Sequence, residues 1–205
     1  MRKLLLASGS PRRASLLAAA GVDCEIFSWE CEEEQAVVGE DPAGYALRAA
    51  EGKLEAALNA AAAVAGNQGA IAICADTVVA SGGEIFGKPA DSADARRMLV
   101  ALSGRAHQVH TGVAIGEVGG ARRATFVETT EVRFLPLSLE TIEAYIETGE
   151  PMDKAGAYGI QERAAAFVAG VSGCYANVVG LPVSGVMRRL EEIFDIRSEE
   201  FWRKP

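Results

Sequence analysis

Apolar residues fall along the chain in short blocks separated by small and turn-forming residues, and the blocks alternate between two periods. Residues 4–7, LLLA, form a short continuous apolar run of the kind a buried strand makes. After SGS comes PRRASLLAA, which predicts a helix with Ser10 as N-cap, Pro11 at the first helical position and Leu16 and Leu17 on the core face. CEIF at 24–27 reads as a second strand. Pro42 opens a long helix to about Ala65, on which Leu47, Leu54 and Leu58 are spaced to share a face. AIAICADTVVASGGEIFGKP at 70–89 reads as a buried strand running into a hairpin that turns at Ser81, Gly82 and Gly83. DSADARRMLVALSG is a helix, acidic at its start and closed by Gly104. Residues 107–115 and 124–135 are strands paired through the turn EVGGARR, and a further helix runs from about Ser138 to Thr148. DKAGAYGIQ at 153–161 is a glycine-punctuated loop, AAFVAGV a strand, and the last helix spans about Pro182 to Phe194. Strands alternating with helices in this way predict an α/β layer structure. Neither a repeat nor a linker interrupts it, so a single domain over 1–205 is expected.

Composition narrows the function. With 205 residues, 49% of them hydrophobic, the chain can bury a sizeable core without disulfides or metal. A net charge of −8 argues against nucleic acid and against anionic membranes as partners, because the long-range field repels both. Local basic clusters then serve small anions. The four cysteines, Cys24, Cys31, Cys74 and Cys174, lack C-x-x-C spacing and fit reduced thiols in a cytoplasmic protein. His107 and His110 lie three apart in a strand, which sends them to opposite faces and argues against a shared zinc.

One such basic cluster is SGSPRR at 8–13. Arg12 and Arg13 in a helix's first turn oppose the helix dipole, which favours anions there. An anionic ligand removes the conflict, and free N–H groups, the Ser8 and Ser10 hydroxyls and two guanidiniums together suit phosphate or carboxylate. An ordinary strand-to-helix turn with solvated arginines accounts for the same stretch equally well. Asp76 ends an apolar strand, at the sheet edge where ligands bind in open α/β folds, or it caps a turn. Lys53, Lys88 and Lys154 each read most simply as surface charges. Lys53, bordering the apolar face among alanines, is the exception. A glutamate from the run Glu32–Glu34 beside Asp76 would let two carboxylates hold a hard divalent cation. Neither SGSPRR nor SGGEIFGKP has P-loop spacing, and the first turn lacks the G-x-G-x-x-G of dinucleotide oxidoreductases.

The succession ASGSPRR, ADTVV, GKP, RMLVALSGRAHQVHTGVA, GEPMDKAGAYGIQ and GCYANVVGLP resembles the Maf family of nucleoside triphosphate pyrophosphatases, in the family's order from residue 4 to residue 182. The resemblance implies an elongated mixed-sheet α/β fold of the Maf and ITPase-like kind, with two lobes flanking a central cleft. It implies hydrolysis of a nucleotide between its α and β phosphates with a divalent metal cation, Mg²⁺ or Mn²⁺, and a homodimer as the assembly many members form. Carried over by motif, Asp76 is the proton acceptor, Ser8, Arg13, Lys53, Lys88 and Lys154 line the polyphosphate site, and Glu33 joins Asp76 in the metal region. Arg12, Thr77 and Gln161 match the subgroup acting on dTTP and UTP, with modified pyrimidine nucleotides in the same class. A second subgroup has tryptophan after the S-P and takes 7-methyl-GTP, a cationic base that Arg12 would repel. The Gln161 amide matches the imide edge of thymine or uracil, one donor and one acceptor. Glu162 departs from the glycine common after GIQ. The alternative within this resemblance is a non-catalytic nucleotide sensor regulating cell division or septum formation.

Overall fold

The computed structural model describes residues 2–29, 31, 35–37 and 39–202. Its centre is a seven-stranded mixed sheet in the order β2-β1-β3-β5-β6-β7, with β4 paired to β3. β1 (Leu4–Leu6) lies parallel to both β2 (Glu25–Ile26) and β3 (Ile71–Ser81). The remaining pairings, through β4 (Glu84–Phe86), β5 (Ala106–Glu117), β6 (Arg123–Phe134) and β7 (Val168–Ser172), are antiparallel. The expected hairpin turns at Gly82 and Gly83, both at positive φ, where glycine is favoured.

Both faces of the sheet are covered, which explains why β1 and the start of β3 read as unbroken apolar runs. One face carries the helix α2 (Pro42–Ala62), whose Ala50, Leu54, Ala57, Leu58 and Ala61 pack on Leu5, Ala72, Cys74 and Ala114. The expected leucine face is thus mostly alanine: Leu47 is only half-buried while Ala46 and Ala49 are buried. Small residues let the helix lie close. At Gly112 of β5 an added Cβ would overlap the Ala46 carbonyl and sit 2.6 Å from Leu47 N, so α2 rests on bare backbone there. Asp41 caps this helix by accepting from Gly44 N at 2.8 Å.

On the opposite face Leu4, Leu6, Ile71, Ile73, Val113 and Ile115 pack against α1 (Pro11–Ala19) through Leu17 and against α6 (Val183–Phe194) through Val186, Leu190 and Phe194. A second lobe forms where β3, β5 and β6 run on past β1. There α3 (Ser92–Leu102) and α4 (Leu139–Glu147) enclose Phe86, Met98, Leu99, Phe134, Tyr145 and Phe167. The stretch expected as one strand from 165 starts as a turn of 3-10 helix, and β7 begins only at Val168. Two short helices escape the periodicity, α5 (Tyr175–Val179) and α7 (Ser198–Trp202), each too short to show a period. Among the described residues no helix is long and apolar enough to cross a membrane.

Candidate active site

Between the lobes lies a cleft of about 740 Å³, a volume suited to a small-molecule ligand. Its walls come from the β1–α1 turn, the middle of α2, the centre of β3, the segment after β4, the loop 152–162 and the end of α5. The parallel pair explains the position. Leu6 pairs with Ile73, and β3 continues beyond that point, so the carboxyl end of β1 leaves a gap floored by Ala75 to Val79.

Asp76 and Thr77 are neighbours in β3 and therefore point to opposite faces of the sheet. Asp76 faces α2, where Lys53 Nζ donates to its Oδ1 at 2.5 Å. The pair is mostly buried, with 18% and 15% of the two side chains exposed. Asp76 stands opposite Gly112 in the β3–β5 register, so the close seating of α2 at Gly112 also sets the height of Lys53 above the carboxylate. Asp76 Oδ2 has no hydrogen-bond partner among the described residues. Beneath it Cys74 is a spectator, because burial pushes its thiol up to about 12.

On the other face the Arg13 guanidinium is spread over three acceptors. Nε donates to Gly180 O at 2.8 Å, Nη1 to Ser8 Oγ at 3.1 Å and Nη2 to Thr77 Oγ1 at 3.1 Å. Burial pulls its pKa below the usual arginine value, an effect that the charge of Asp76 offsets only in part. Thr77 Oγ1 also meets Thr111 Oγ1 at 3.0 Å, and Thr111 donates to Asn177 O at 3.2 Å. Asn177 Nδ2 in turn donates to Val109 O and Thr130 Oγ1. This network fixes the arginine at the cleft wall. Ser8 Oγ also accepts from Ser10 N at 3.2 Å, which shapes the turn. Ser10 is the N-cap residue of α1 but makes no side-chain cap bond, so the helix start presents N–H groups without a capping side chain.

The loop at 153–161 supplies the third wall. Lys154, expected as a surface charge, is buried. Its ammonium donates to Glu150 O and Asp153 Oδ1, each at 2.7 Å, and lies 3.6 Å from Glu162 Oε2. Arg12 reaches across from α1 to Asp153 Oδ2 at 3.0 Å. Burial raises the Asp153 pKa, but bonds from Lys154 and Arg12 outweigh it and hold the carboxyl below its ordinary range. Gln161 is exposed on the cleft wall and its amide makes no hydrogen bond among the described residues, while Lys88 lines the same cleft. Glu33, named from the sequence as a metal residue, lies outside the described residues.

Ser8, Arg12, Arg13, Lys53, Asp76, Thr77, Lys88, Lys154 and Gln161 all line this one cleft, although they span more than 150 positions of sequence. The sequence reading missed Asp153, Tyr158, Trp29 and Gly180, which line it too. The adjacent pair Asp153–Lys154 was the available signal for the first, and an interrupted helix before L-P for the last. His107 and His110 do face opposite sides, toward Tyr158 and Thr129, and among the described residues no three His, Cys, Asp or Glu side chains gather as a metal cage.

A family model described as Maf-like protein matches residues 3–193. A dTTP/UTP pyrophosphatase from Symbiobacterium thermophilum is 50% identical over 192 residues, covering 94% of each chain. One of the same name from Carboxydothermus hydrogenoformans is 48% identical over 190 residues, covering 93% of this chain and 98% of the relative. Among solved structures, a HAM1 protein from Coxiella burnetii aligns over 80% of this chain and 91% of its own at 18% identity, with a TM-score of 0.40.

Proposed function

The chain belongs to the Maf family, and from that premise we propose that it is a nucleoside triphosphate pyrophosphatase acting on dTTP and UTP. Water adds to phosphorus, the α–β phosphoanhydride bond breaks, and the products are the nucleoside monophosphate and pyrophosphate. The observation that carries the reading is that Lys53, Lys88 and Arg13 line one cleft with the carboxylate of Asp76, to which Lys53 is bonded. A triphosphate brings about four negative charges, and catalysis at phosphorus is largely positioning and stabilisation of the charge spread over its oxygens. Fixed cations do both.

Asp76 takes the proton of the attacking water on Oδ2 while Lys53 holds Oδ1 still. The uncapped start of α1 and the Ser8 hydroxyl favour phosphate oxygens at the β1–α1 turn. Arg13, bonded to Ser8, Thr77 and Gly180, acts as a fixed positive wall, which the dense bonding orients without neutralising. Gln161, with its amide unengaged, meets the imide edge of thymine or uracil.

The donor set fits a divalent cation of the Mg²⁺ or Mn²⁺ kind, since such ions take one or two carboxylates and complete their shell with phosphate oxygens and water. Where Asp76 serves the ion instead of the water, its Oδ2 would be one ligand, with Glu33 as the second. The ion would neutralise phosphate charge and acidify bound water. We place the activity in the cytoplasm, in keeping with four cysteines that form no disulfide among the described residues.

The test is a panel of dTTP, UTP, dCTP, ATP, GTP and 7-methyl-GTP with Mg²⁺ or Mn²⁺, followed by pyrophosphate release. Fastest release from dTTP and UTP supports the reading, and loss of that preference in Arg12→Ala and Gln161→Ala supports the assignment of the base-facing wall. If every triphosphate stays intact, the pyrophosphatase reading is wrong, and tight binding without release would make the cleft a sensor.

A further inference from the structure

Glu150 is a buried acid outside the cleft, with 3% of its side chain exposed, and the chemistry above makes no use of it. Burying an ionised carboxylate is costly unless it is well bonded. The bonds of its carboxylate and its carbonyl lead to one loop. Oε1 accepts from Tyr145 OH at 2.8 Å, and that same phenolic oxygen accepts from Gly159 N at 3.3 Å. Oε2 accepts from Arg163 Nη1 at 3.1 Å and from Arg163 N at 3.4 Å. The Glu150 carbonyl accepts from Lys154 Nζ at 2.7 Å. The loop is thus tied at 154, 159 and 163, and Asp153, Tyr158 and Gln161, which line the cleft, lie beside or between those ties.

The ties also close around a side chain. A Cβ on Gly159 would lie 2.6 Å from Lys154 Cε, so the Lys154 stem runs directly against the loop backbone that Tyr145 holds. The polypeptide between the ties is glycine-rich, and Gly156 and Ala157 both sit at positive φ, so the loop has little regular structure of its own. The carboxylate behind it adds the ties at 159 and 163 to those that Gly156 N makes to Gly87 O and Tyr158 OH makes to His107 Nε2.

We propose that Glu150 is a positioning residue for base recognition: through Tyr145 and Arg163 it holds the loop that presents Gln161, and thereby sets the selectivity among nucleobases without touching substrate. The inference rests on the reading of Gln161 as the base-facing group. A group that acts by fixing a loop affects the interactions made by that loop and leaves Asp76 and Lys53 on β3 and α2, and the Lys154 bond to the Glu150 main-chain carbonyl, in place.

The experiment compares Glu150→Gln and Tyr145→Phe with the wild type and with Gln161→Ala. Glu150→Gln keeps an acceptor for Tyr145 but turns an amide toward the donors of Arg163. Tyr145→Phe keeps the ring packing on Phe167 and removes the hydroxyl relay. Both should lower the ratio of kcat/KM for dTTP over ATP by about tenfold, the scale of one misplaced polar contact. The change should fall on KM, with kcat for dTTP and inhibition by pyrophosphate held. Amide hydrogen exchange should quicken across 153–163 and stay unchanged in β3 and α2. If Gln161→Ala lowers the ratio and neither variant does, the proposal is overturned while the base-facing assignment stands. If Gln161→Ala leaves the ratio unchanged, both fall. Exchange that quickens evenly over the chain with selectivity intact marks a purely structural acid and also overturns it. Should Glu150→Gln fail to fold, Tyr145→Phe decides.

Discussion

Lys53 Nζ lies 2.5 Å from Asp76 Oδ1, joining the middle of α2 to the centre of β3 at the floor of the cleft. The pair joins α2 to the sheet and holds the carboxylate proposed above as the proton acceptor. Lys53→Met keeps the alkyl stem but leaves Asp76 without its cation. A mostly buried carboxylate stripped of its partner should cost about 1–3 kcal/mol of stability, read as a lower urea midpoint. Turnover of dTTP should fall by about a hundredfold or more, because one fixed cation beside reacting phosphate is worth that much. Wild-type turnover in this variant would remove Lys53 from the site.

Asp76 can serve as proton acceptor or as metal ligand, and Asp76→Asn separates the two. Loss of a general base should reduce kcat by about 10²–10⁴ while the concentration of metal needed for half-maximal residual activity stays where it was. A large rise in that concentration would show that the carboxylate chiefly holds the ion.

Gly112 faces the backbone of α2 where an added Cβ has no room beside Ala46 and Leu47. Gly112→Ala must therefore lift the helix from the sheet, at about 1–3 kcal/mol or more for overpacking. Since Gly112 is the register partner of Asp76, Lys53 should lose its bond and activity should drop, although neither Lys53 nor Asp76 has changed. A variant of unaltered melting temperature and activity would contradict the seating described here.

Burial lowers the His107 pKa from its ordinary 6.5 to about 4. The folded value lies below the unfolded one, so the unfolded chain binds the extra proton first. The stability this neutral histidine contributes is complete above pH 6.5 and is lost as pH falls toward about 4. A shift of that size corresponds to about 3 kcal/mol at most. Carboxylates such as Asp153, also held low, act in the same direction at lower pH. The contribution of His107 is therefore the difference between wild type and His107→Gln in urea midpoints from pH 7 to 4, which should narrow as pH falls. A constant difference would show that the ring is not buried neutral.

The order of elements was legible because period and punctuation agree: Pro11, Pro42 and the Gly82–Gly83 turn lie where the helices and hairpin begin. The packing face of α2 was not, since alanine shows little periodic contrast and its role depends on Gly112, 66 positions beyond Ala46. Asp76 and Lys53 could be singled out, one as the acid that closes an apolar run and the other by its place on a helix border, although β3 runs on through Asp76 to Ser81 instead of ending there. Their bond could not, because it joins separate elements. Lys154 misled for the opposite reason. A lysine defaults to the surface, and here Asp153, the Glu150 carbonyl and Glu162 satisfy it in the interior. Arg13 likewise gave no sign that Thr77 and Gly180 would hold it, since Thr77 comes from β3 and Gly180 from the far end of the chain.

The central claim is that this cleft cuts between the α and β phosphates with Asp76 as the acid group at its centre. Following dTTP with Mg²⁺ by ³¹P NMR tests it most directly. Growth of pyrophosphate and dTMP signals in equal amounts, with no dTDP at any time, is the result the structure predicts. Orthophosphate appearing together with dTDP, or a triphosphate that never changes, would contradict it.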